Sequence, residues 1–151
     1  MSTNPPVTGP EPILFVEDDV PLRTMLARAL RAHGHAVVEA GSAEEAGAVL
    51  GRGLRPSLVL LDLNLPGATG WDLLRAGPLA EAGAPPVVVV TAIGVSHRRL
   101  RELRVAGYLP KPFALETLLE VCDRFLAPAD PEVREPAGSG TGREPTLETG
   151  G

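Results

Sequence analysis

The sequence predicts a doubly wound α/β domain built on a five-stranded parallel sheet. Three observations lead to this prediction. Short apolar segments alternate along the chain with segments whose apolar residues recur at helical spacing. The third and fourth apolar segments are nearly uninterrupted, as expected for parallel strands that helices cover on both faces. Acidic, hydroxyl and amine side chains stand directly after several segments, where such folds carry their ligand chemistry.

The first half of the chain contains two strands and two helices. Residues 13–16 form the first predicted strand, an apolar run that ends in acids. Residues 21–32 carry leucine, methionine and alanine at helical spacing, and Gly34 ends that helix. Residues 36–40 form the second strand. The sequence Ser-Ala-Glu-Glu at 42–45 is a capping box that begins the second helix.

The second half continues the alternation. Its predicted strands cover residues 57–61, 87–90 and 108–109. Its predicted helices cover residues 70–76, 97–105 and 113–126. The fourth strand is a run of valines, whose branched side chains favour strands. The last helix carries its leucines on one side, which predicts an amphipathic helix packed on the sheet.

Composition limits the possible functions. The chain has 151 residues and a net charge of −5, from 14 basic and 19 acidic residues. Direct DNA binding and binding to anionic membranes are therefore not expected, because both need a basic surface. The single cysteine, Cys122, excludes an internal disulfide and is expected in the core. The sequence shows neither a signal peptide nor an apolar run of membrane-spanning length, so we expect a cytoplasmic protein.

Both ends of the chain differ from its middle. Residues 1–12 and 128–151 are rich in proline, and the second segment is also rich in glycine and acids. Such segments cannot bury enough apolar surface to offset their chain entropy. We therefore expect a disordered arm at 1–12, one folded domain at 13–127, and a disordered tail at 128–151.

Polar side chains follow four of the predicted strands. They are Glu17, Asp18 and Asp19 after the first strand, Asp62 after the third, Thr91 at the end of the fourth, and Lys111 after the fifth. The carboxyl ends of parallel strands meet at one edge of the sheet, so these groups should converge. Neighbouring carboxylates repel one another, and their oxygens suit Mg²⁺. A carboxylate left free could attack a phosphoryl donor.

Four motifs carry a family resemblance. They are ILFVEDD at 13–19, LVLLDLNLPG at 58–67, VTA at 90–92 and YLPKPF at 108–113. With these four motifs in this order, the chain resembles the receiver domain of a two-component response regulator and is similar to the single-domain chemotaxis regulators. The resemblance implies the flavodoxin-like (βα)5 receiver fold. It also implies a signalling domain that catalyses only its own phosphorylation and dephosphorylation.

The resemblance implies roles for the acidic residues. Asp62 would be the phosphoacceptor for a sensor histidine kinase or a phosphotransferase. Glu17, Asp18, Asp62 and the backbone carbonyl of Asn64 would hold Mg²⁺. Asp19 is expected instead to cap the first helix, because an aspartate before a proline-led helix suits that position.

The resemblance also implies roles near the last two strands. Thr91 and Lys111 would bind the phosphoryl oxygens, and Thr91 and Tyr108 would form the switch. Lys111 is the single lysine of the chain, which suggests that the site requires an ammonium. The family further suggests a cis bond before Pro112. A downstream protein target would bind the surface formed by residues 97–126.

Two departures from the family pattern affect the fourth helix. The chain between Thr91 and Lys111 is about two residues shorter than the family pattern. Arg104 and Val105 stand where the family usually has a Gly-Ala pair. We therefore expect a short or displaced fourth helix.

Several residues have simpler expected roles. Trp71 is expected to pack against the domain, and His33, His35 and His97 are expected at the surface. The arginines at 98, 99, 101 and 104 form either a solvated helix face or a docking surface for an acidic partner.

Three function classes compete. The favoured one is a stand-alone phosphorylatable receiver that signals by phosphorylation-dependent protein contact. A pseudo-receiver that only binds partners would normally lack one of the site residues, and all are present here. A phosphatase of the haloacid-dehalogenase type would carry Asp-x-Asp after its first strand, whereas this chain has Asn64 and places Asp62 after the third strand.

Overall fold

The computed structural model describes residues 11–92 and 94–126. Its strands are β1 (Ile13–Val16), β2 (Val37–Ala40), β3 (Leu58–Leu61), β4 (Val87–Thr91) and β5 (Gly107–Pro110). Its helices are α1 (Val20–Ala32), α2 (Ala43–Gly51), α3 (Gly70–Arg75), α4 (His97–Glu102) and α5 (Leu115–Leu126). The strands form one parallel sheet in the order β2-β1-β3-β4-β5. The predicted doubly wound fold is confirmed.

The sheet is covered on both faces. Every residue of β1, β3 and β4 is buried, which explains why the third and fourth strands are continuous apolar runs. Leu14 and Val16 face the layer formed by α2, α3 and α4. Ile13 and Phe15 face the layer formed by α1 and α5. The two layers hold the strands so that their carboxyl ends share one edge.

The ends of α1 show how local sequence sets helix limits. The carboxylate of Asp19 accepts a hydrogen bond from the amide of Leu22, which confirms the predicted cap. At the other end, the amide of Gly34 donates to the carbonyl of Arg31, and the amide of His35 donates to that of Leu30. With Gly34 at a φ of 103°, this is a Schellman turn.

The caps of α2 and α3 refine the prediction. The Ser42 hydroxyl accepts from the amide of Glu45, but the Glu45 carboxylate accepts from Gly41 rather than from Ser42. A complete capping box, which was not predicted, begins α3, where Thr69 and Asp72 accept from each other's amides. A 3₁₀ turn at Gly77–Ala80, which also was not predicted, follows α3.

Helix α4 is shorter than its predicted span of residues 97–105. It ends at Glu102 after 6 residues, and Leu103 is its C-cap. Arg104 then adopts a left-handed conformation with a φ of 61°, which turns the chain toward β5. The expectation of a short fourth helix is confirmed, and an arginine occupies a conformation that favours glycine.

The disorder expected at the chain ends concerns residues that lie mostly outside the described ranges. Glu11 and Pro12, the last two residues of the expected disordered arm, are described. The carbonyls of both residues accept hydrogen bonds from Ser57. Within the described residues, ordered contacts therefore begin before residue 13. Among the described helices, none has the length and hydropathy needed to cross a bilayer.

Candidate functional site

The carboxyl ends of β1 and β3 bring two acids together. Glu17 directly follows β1, and Asp62 directly follows β3, the neighbouring strand. The amide of Glu17 donates to the carbonyl of Ala40, and that of Asp62 donates to the carbonyl of Val16. Both acids are buried, with 2% and 5% exposure respectively. The sheet hydrogen bonds therefore fix the backbone from which both carboxylates extend.

Lys111 connects these two acids. Its Nζ atom donates to Oε1 of Glu17 at 2.7 Å and to Oδ2 of Asp62 at 3.1 Å. The backbone amide of Lys111 donates to the carbonyl of Thr91, which places the lysine beside the end of β4. The Lys111–Pro112 peptide is cis, as the family resemblance suggested. One ammonium thus offsets two buried negative charges.

The surroundings shift the proton affinities of this pair. Burial raises the pKa of the Glu17 carboxyl above its usual value, and the hydrogen bonds from Lys111 and from the Asp19 amide offset only part of this effect. Partial burial by itself would lower the pKa of Lys111. The hydrogen bonds to Glu17 and Asp62 outweigh that effect and raise it, so the lysine stays charged at neutral pH.

Asp18 completes an acidic group that suits a cation. Oxygen atoms of Glu17, Asp18 and Asp62 all lie within 4.8 Å of one another. Asp18 is exposed while the other two are buried, so the group opens to solvent on one side. Carboxylate oxygens with room for water are the donors that Mg²⁺ accepts. These three residues therefore fit Mg²⁺, the metal expected from the sequence.

Asn64 lies beside Asp62. Its amide donates to Oδ1 of Asp62 at 2.9 Å, so the loop after β3 holds one carboxylate oxygen while Lys111 holds the other. The backbone of Gly70 packs closely against the same loop, since a Cβ atom at that position would lie 2.6 Å from the carbonyl oxygen of Asp62. That the Asn64 carbonyl binds a metal stays a prediction.

Thr91 and Tyr108 lie on adjacent strands. Thr91 is fully buried at the end of β4. Tyr108 pairs in register with Val89, two residues before Thr91, and packs half-buried on the layer that includes α4. Of the two expected switch residues, Tyr108 therefore packs on the layer that includes α4, and Thr91 ends the neighbouring strand.

All four arginines of the run are exposed, and three of them lie on α4. The guanidinium of Arg99 lies over the ring of Trp71, with its central carbon 4.6 Å from the ring centroid. That contact joins α4 to α3. Arg104 lies beyond the end of α4. Trp71 packs against the core, as expected, and Cys122 is fully buried, so burial raises the pKa of its thiol to about 12.

The expectation of surface histidines is wrong for His35, whose side chain is 16% exposed. It lies with His33 against Asp123 of α5. His33 and His97 are exposed, as expected.

Comparison with known proteins agrees with this geometry. A family model described as "Response regulator receiver domain" matches residues 13–123. The chain is a response regulator receiver. Receivers form a signalling family, and the expected family resemblance is confirmed.

Three relatives illustrate the relation. Protein PilH of Pseudomonas aeruginosa is 34% identical over 118 residues, which cover 76% of this chain and 97% of PilH. The phosphate regulon transcriptional regulatory protein PhoB of the same species is 35% identical over 126 residues, which cover 80% of this chain and 55% of PhoB. The crystallised Vibrio cholerae chemotaxis protein CheY4 matches with a TM-score of 0.69 and 26% identity, over 78% of this chain and 100% of CheY4.

This receiver spans only part of the first curated relatives that it matches. It covers 55%, 24% and 47% of their lengths. What the receiver shares with them is therefore the domain at residues 13–123.

Proposed function

We propose that Asp62 of this receiver accepts a phosphoryl group from a sensor histidine kinase or a phosphotransferase. The observation that carries the proposal is the position of Lys111, whose ammonium contacts both Asp62 and Glu17. A buried carboxylate beside a fixed cation can approach an anionic phosphoryl donor with less repulsion. Membership of the receiver family supports the same role.

The step transfers one phosphoryl group. An oxygen of the Asp62 carboxylate attacks phosphorus, the P–N bond of the donor's phosphohistidine breaks, and an acyl phosphate forms. The donor imidazole keeps the electron pair of the broken bond and takes up a proton from water. Asn64 orients Asp62 by holding its Oδ1, which leaves Oδ2 beside Lys111.

Glu17, Asp18 and Asp62, with the Asn64 carbonyl, are the proposed Mg²⁺ ligands. The cation would neutralise charge on the transferred group when it is bound. Lys111 and Thr91 are the proposed ligands of the phosphoryl oxygens, because Lys111 contacts Asp62 and Thr91 ends the strand next to β3. Asp19 is not a member of this set, because its carboxylate caps α1.

The proposed output is contact with a protein target in the cytoplasm. A phosphoryl group on Asp62 adds acceptor oxygens for the Thr91 hydroxyl. Movement of Thr91 alters the packing of Tyr108, which lies one strand away and contacts the α4 layer. The surface formed by residues 97–126 then changes its shape. A net charge of −5 favours a protein target over DNA.

The test is phosphorylation by acetyl phosphate with Mg²⁺, followed by mass spectrometry of the intact chain. Wild type should gain one phosphoryl mass, and Asp62→Asn should gain none. Asp123→Asn, a matched change on α5, should behave as wild type. Retained incorporation in Asp62→Asn would show that another residue is the acceptor. No incorporation in folded wild type with either acetyl phosphate or kinase would favour the pseudo-receiver.

A further inference from the structure

Two histidines and an aspartate, residue types that can ligate a metal ion, meet at the end of the sheet opposite Asp62. His33 and His35 flank the Schellman turn between α1 and β2, and Asp123 lies near the end of α5. Nε2 of His33 lies 3.1 Å from Oδ2 of Asp123, and Nε2 of His35 lies 3.5 Å from Oδ1. All three ligand atoms fall within 4.8 Å of one another. Both histidines thus direct the same ring nitrogen toward one carboxylate.

The spacing suits a small tetrahedral ion. Zn²⁺ binds imidazole nitrogen and carboxylate oxygen at about 2.0–2.2 Å, so ligand atoms around it lie roughly 3.4 Å apart. With one ligand atom taken from each of the three residues, all of these atoms lie within 4.8 Å of one another, a range that includes this separation. Two imidazoles and one carboxylate are ligands that zinc and its neighbours in the first transition row prefer, whereas Mg²⁺ prefers oxygen alone.

A simple ion pair leaves one atom unexplained. Nε2 of His35 is buried and has no hydrogen-bond partner, and within the described residues it is the one buried side-chain nitrogen or oxygen of this kind. Nε2 of His35 lies 3.5 Å from Oδ1 of Asp123, which is close enough for an ion pair, but the two atoms do not form a hydrogen bond. A buried polar atom without a partner is costly, and an ion bound at that nitrogen would satisfy it.

The backbone holds both histidines in place before any ion arrives. The amides of Gly34 and His35 are both used in the Schellman turn. The rings lie with their centroids 5.6 Å apart. His33 and Asp123 are exposed, which leaves a route for an ion from solvent.

We propose that His33, His35 and Asp123 form a binding site for a divalent late transition-metal ion such as Zn²⁺, separate from the acidic site at Asp62. The protein supplies three ligands, and water completes the tetrahedron. Cys122 is not a fourth ligand, because its side chain is buried in the core between the sheet, α1 and α5. Binding joins the α1–β2 turn to α5.

The test is calorimetric titration of the full chain with ZnCl₂ in the presence of excess Mg²⁺. Wild type should bind one zinc ion. His33→Ala, His35→Ala and Asp123→Asn should each bind it about tenfold more weakly or worse, because each removes a ligand. His97→Ala removes an exposed histidine on α4 and is the matched control, with wild-type affinity expected.

Two further measurements keep the result interpretable. Circular dichroism shows whether each variant folds. If His35→Ala does not fold, Asp123→Asn, which changes an exposed position, still tests the site. Co²⁺ in place of zinc should give the visible absorption of tetrahedral ligation in wild type and lose it in Asp123→Asn. Absence of zinc binding in wild type, or equal affinity in wild type and folded Asp123→Asn, would overturn the proposal.

Discussion

Nζ of Lys111 lies 2.7 Å from Oε1 of Glu17, although 94 positions separate the two residues in the chain. The same ammonium contacts Asp62, so one cation holds together the ends of β1 and β3. Since Glu17 is almost fully buried, it depends on Lys111 to offset its charge.

Replacing Lys111 with arginine should impair phosphorylation while the chain remains folded. A guanidinium is a wide, planar fork and cannot take the compact position of an ammonium between two carboxylates. We expect phosphoryl uptake from acetyl phosphate to slow by about a hundredfold, as when one charge-stabilising group is lost. Arg98→Lys, at an exposed position on α4, is the control and should keep the wild-type rate. An unimpaired Lys111→Arg would argue against contact between this residue and the phosphoryl group.

Mg²⁺ should bind in the high micromolar to millimolar range and depend on Asp18. Few protein ligands hold this ion, and it gives up its water reluctantly. Asp18→Ala should weaken binding by about tenfold or more, with Trp71 fluorescence or calorimetry as the readout.

Asp19→Ala is the matched control for Asp18→Ala. It removes the cap of α1 and should lower the free energy of unfolding by about 1 kcal/mol, yet leave Mg²⁺ affinity unchanged. Equal loss of Mg²⁺ affinity in both variants would argue against Asp18 as a specific Mg²⁺ ligand.

Two glycine-to-alanine changes should have opposite effects on stability. A Cβ at Gly70 would lie 2.6 Å from the carbonyl oxygen of Asp62 and 2.8 Å from Cα of Leu63, so the backbone must move. We expect a loss of about 2 kcal/mol or more in urea unfolding. At Gly47, within α2, the nearest atom lies 3.9 Å away, and alanine should stabilise by about 0.5–1 kcal/mol. A neutral Gly70→Ala would show that the loop after β3 yields easily.

Arg104→Gly should stabilise the domain. The left-handed conformation at a φ of 61° costs an L-residue about 1–2 kcal/mol, while glycine adds less than about 1 kcal/mol of unfolded-state entropy. The expected net gain is therefore about 0.5–1 kcal/mol. Arg101→Gly, inside α4, should instead destabilise by about 1 kcal/mol. Thermal unfolding of both variants measures the difference, and a destabilised Arg104→Gly would mean that the arginine side chain contributes a contact of its own.

Cys122 should be inert in the folded protein. Burial raises the pKa of its thiol to about 12, so the reactive thiolate is nearly absent at pH 8. A disulfide-exchange reagent should label it only after denaturant is added. Because the unfolded thiol ionises near pH 9 and the folded one does not, stability should fall as pH rises above about 9. Cys122→Ser should remove the part of the stability loss above pH 9 that comes from this thiol. Fast labelling of the native protein would contradict the prediction and show that the core around α5 opens.

The fold and the location of the acidic site could be predicted because both follow from patterns within short segments. Parallel strands buried on two faces appear as continuous apolar runs, and their carboxyl ends share an edge by topology. Thus Glu17, Asp62 and Lys111 could be assigned to one place before any distance was known.

Other features depend on contacts that no local pattern contains. His33 and His35 show no metal-ligand spacing in the sequence, because Asp123, the third residue of the proposed metal site, lies on a helix about 90 positions away. The α3 capping box was missed because Asp72 stands where Glu or Gln is usual. The predicted span of residues 97–105 extends past the end of α4 at Glu102, because Arg104 is not the glycine that usually marks a helix end.

Helix α4 buries little of its own surface, and the contact of Arg99 with Trp71 joins it to α3. Of its 6 residues only Leu100 is buried, whereas β1 and β3, which precede the acids, are buried throughout. We therefore expect substitutions at the exposed positions of α4 to leave the packing of β1 and β3 unchanged, provided that Leu100 is kept. The side chains on the exposed positions of such a helix can therefore be replaced without disturbing the buried strands from which Glu17 and Asp62 extend.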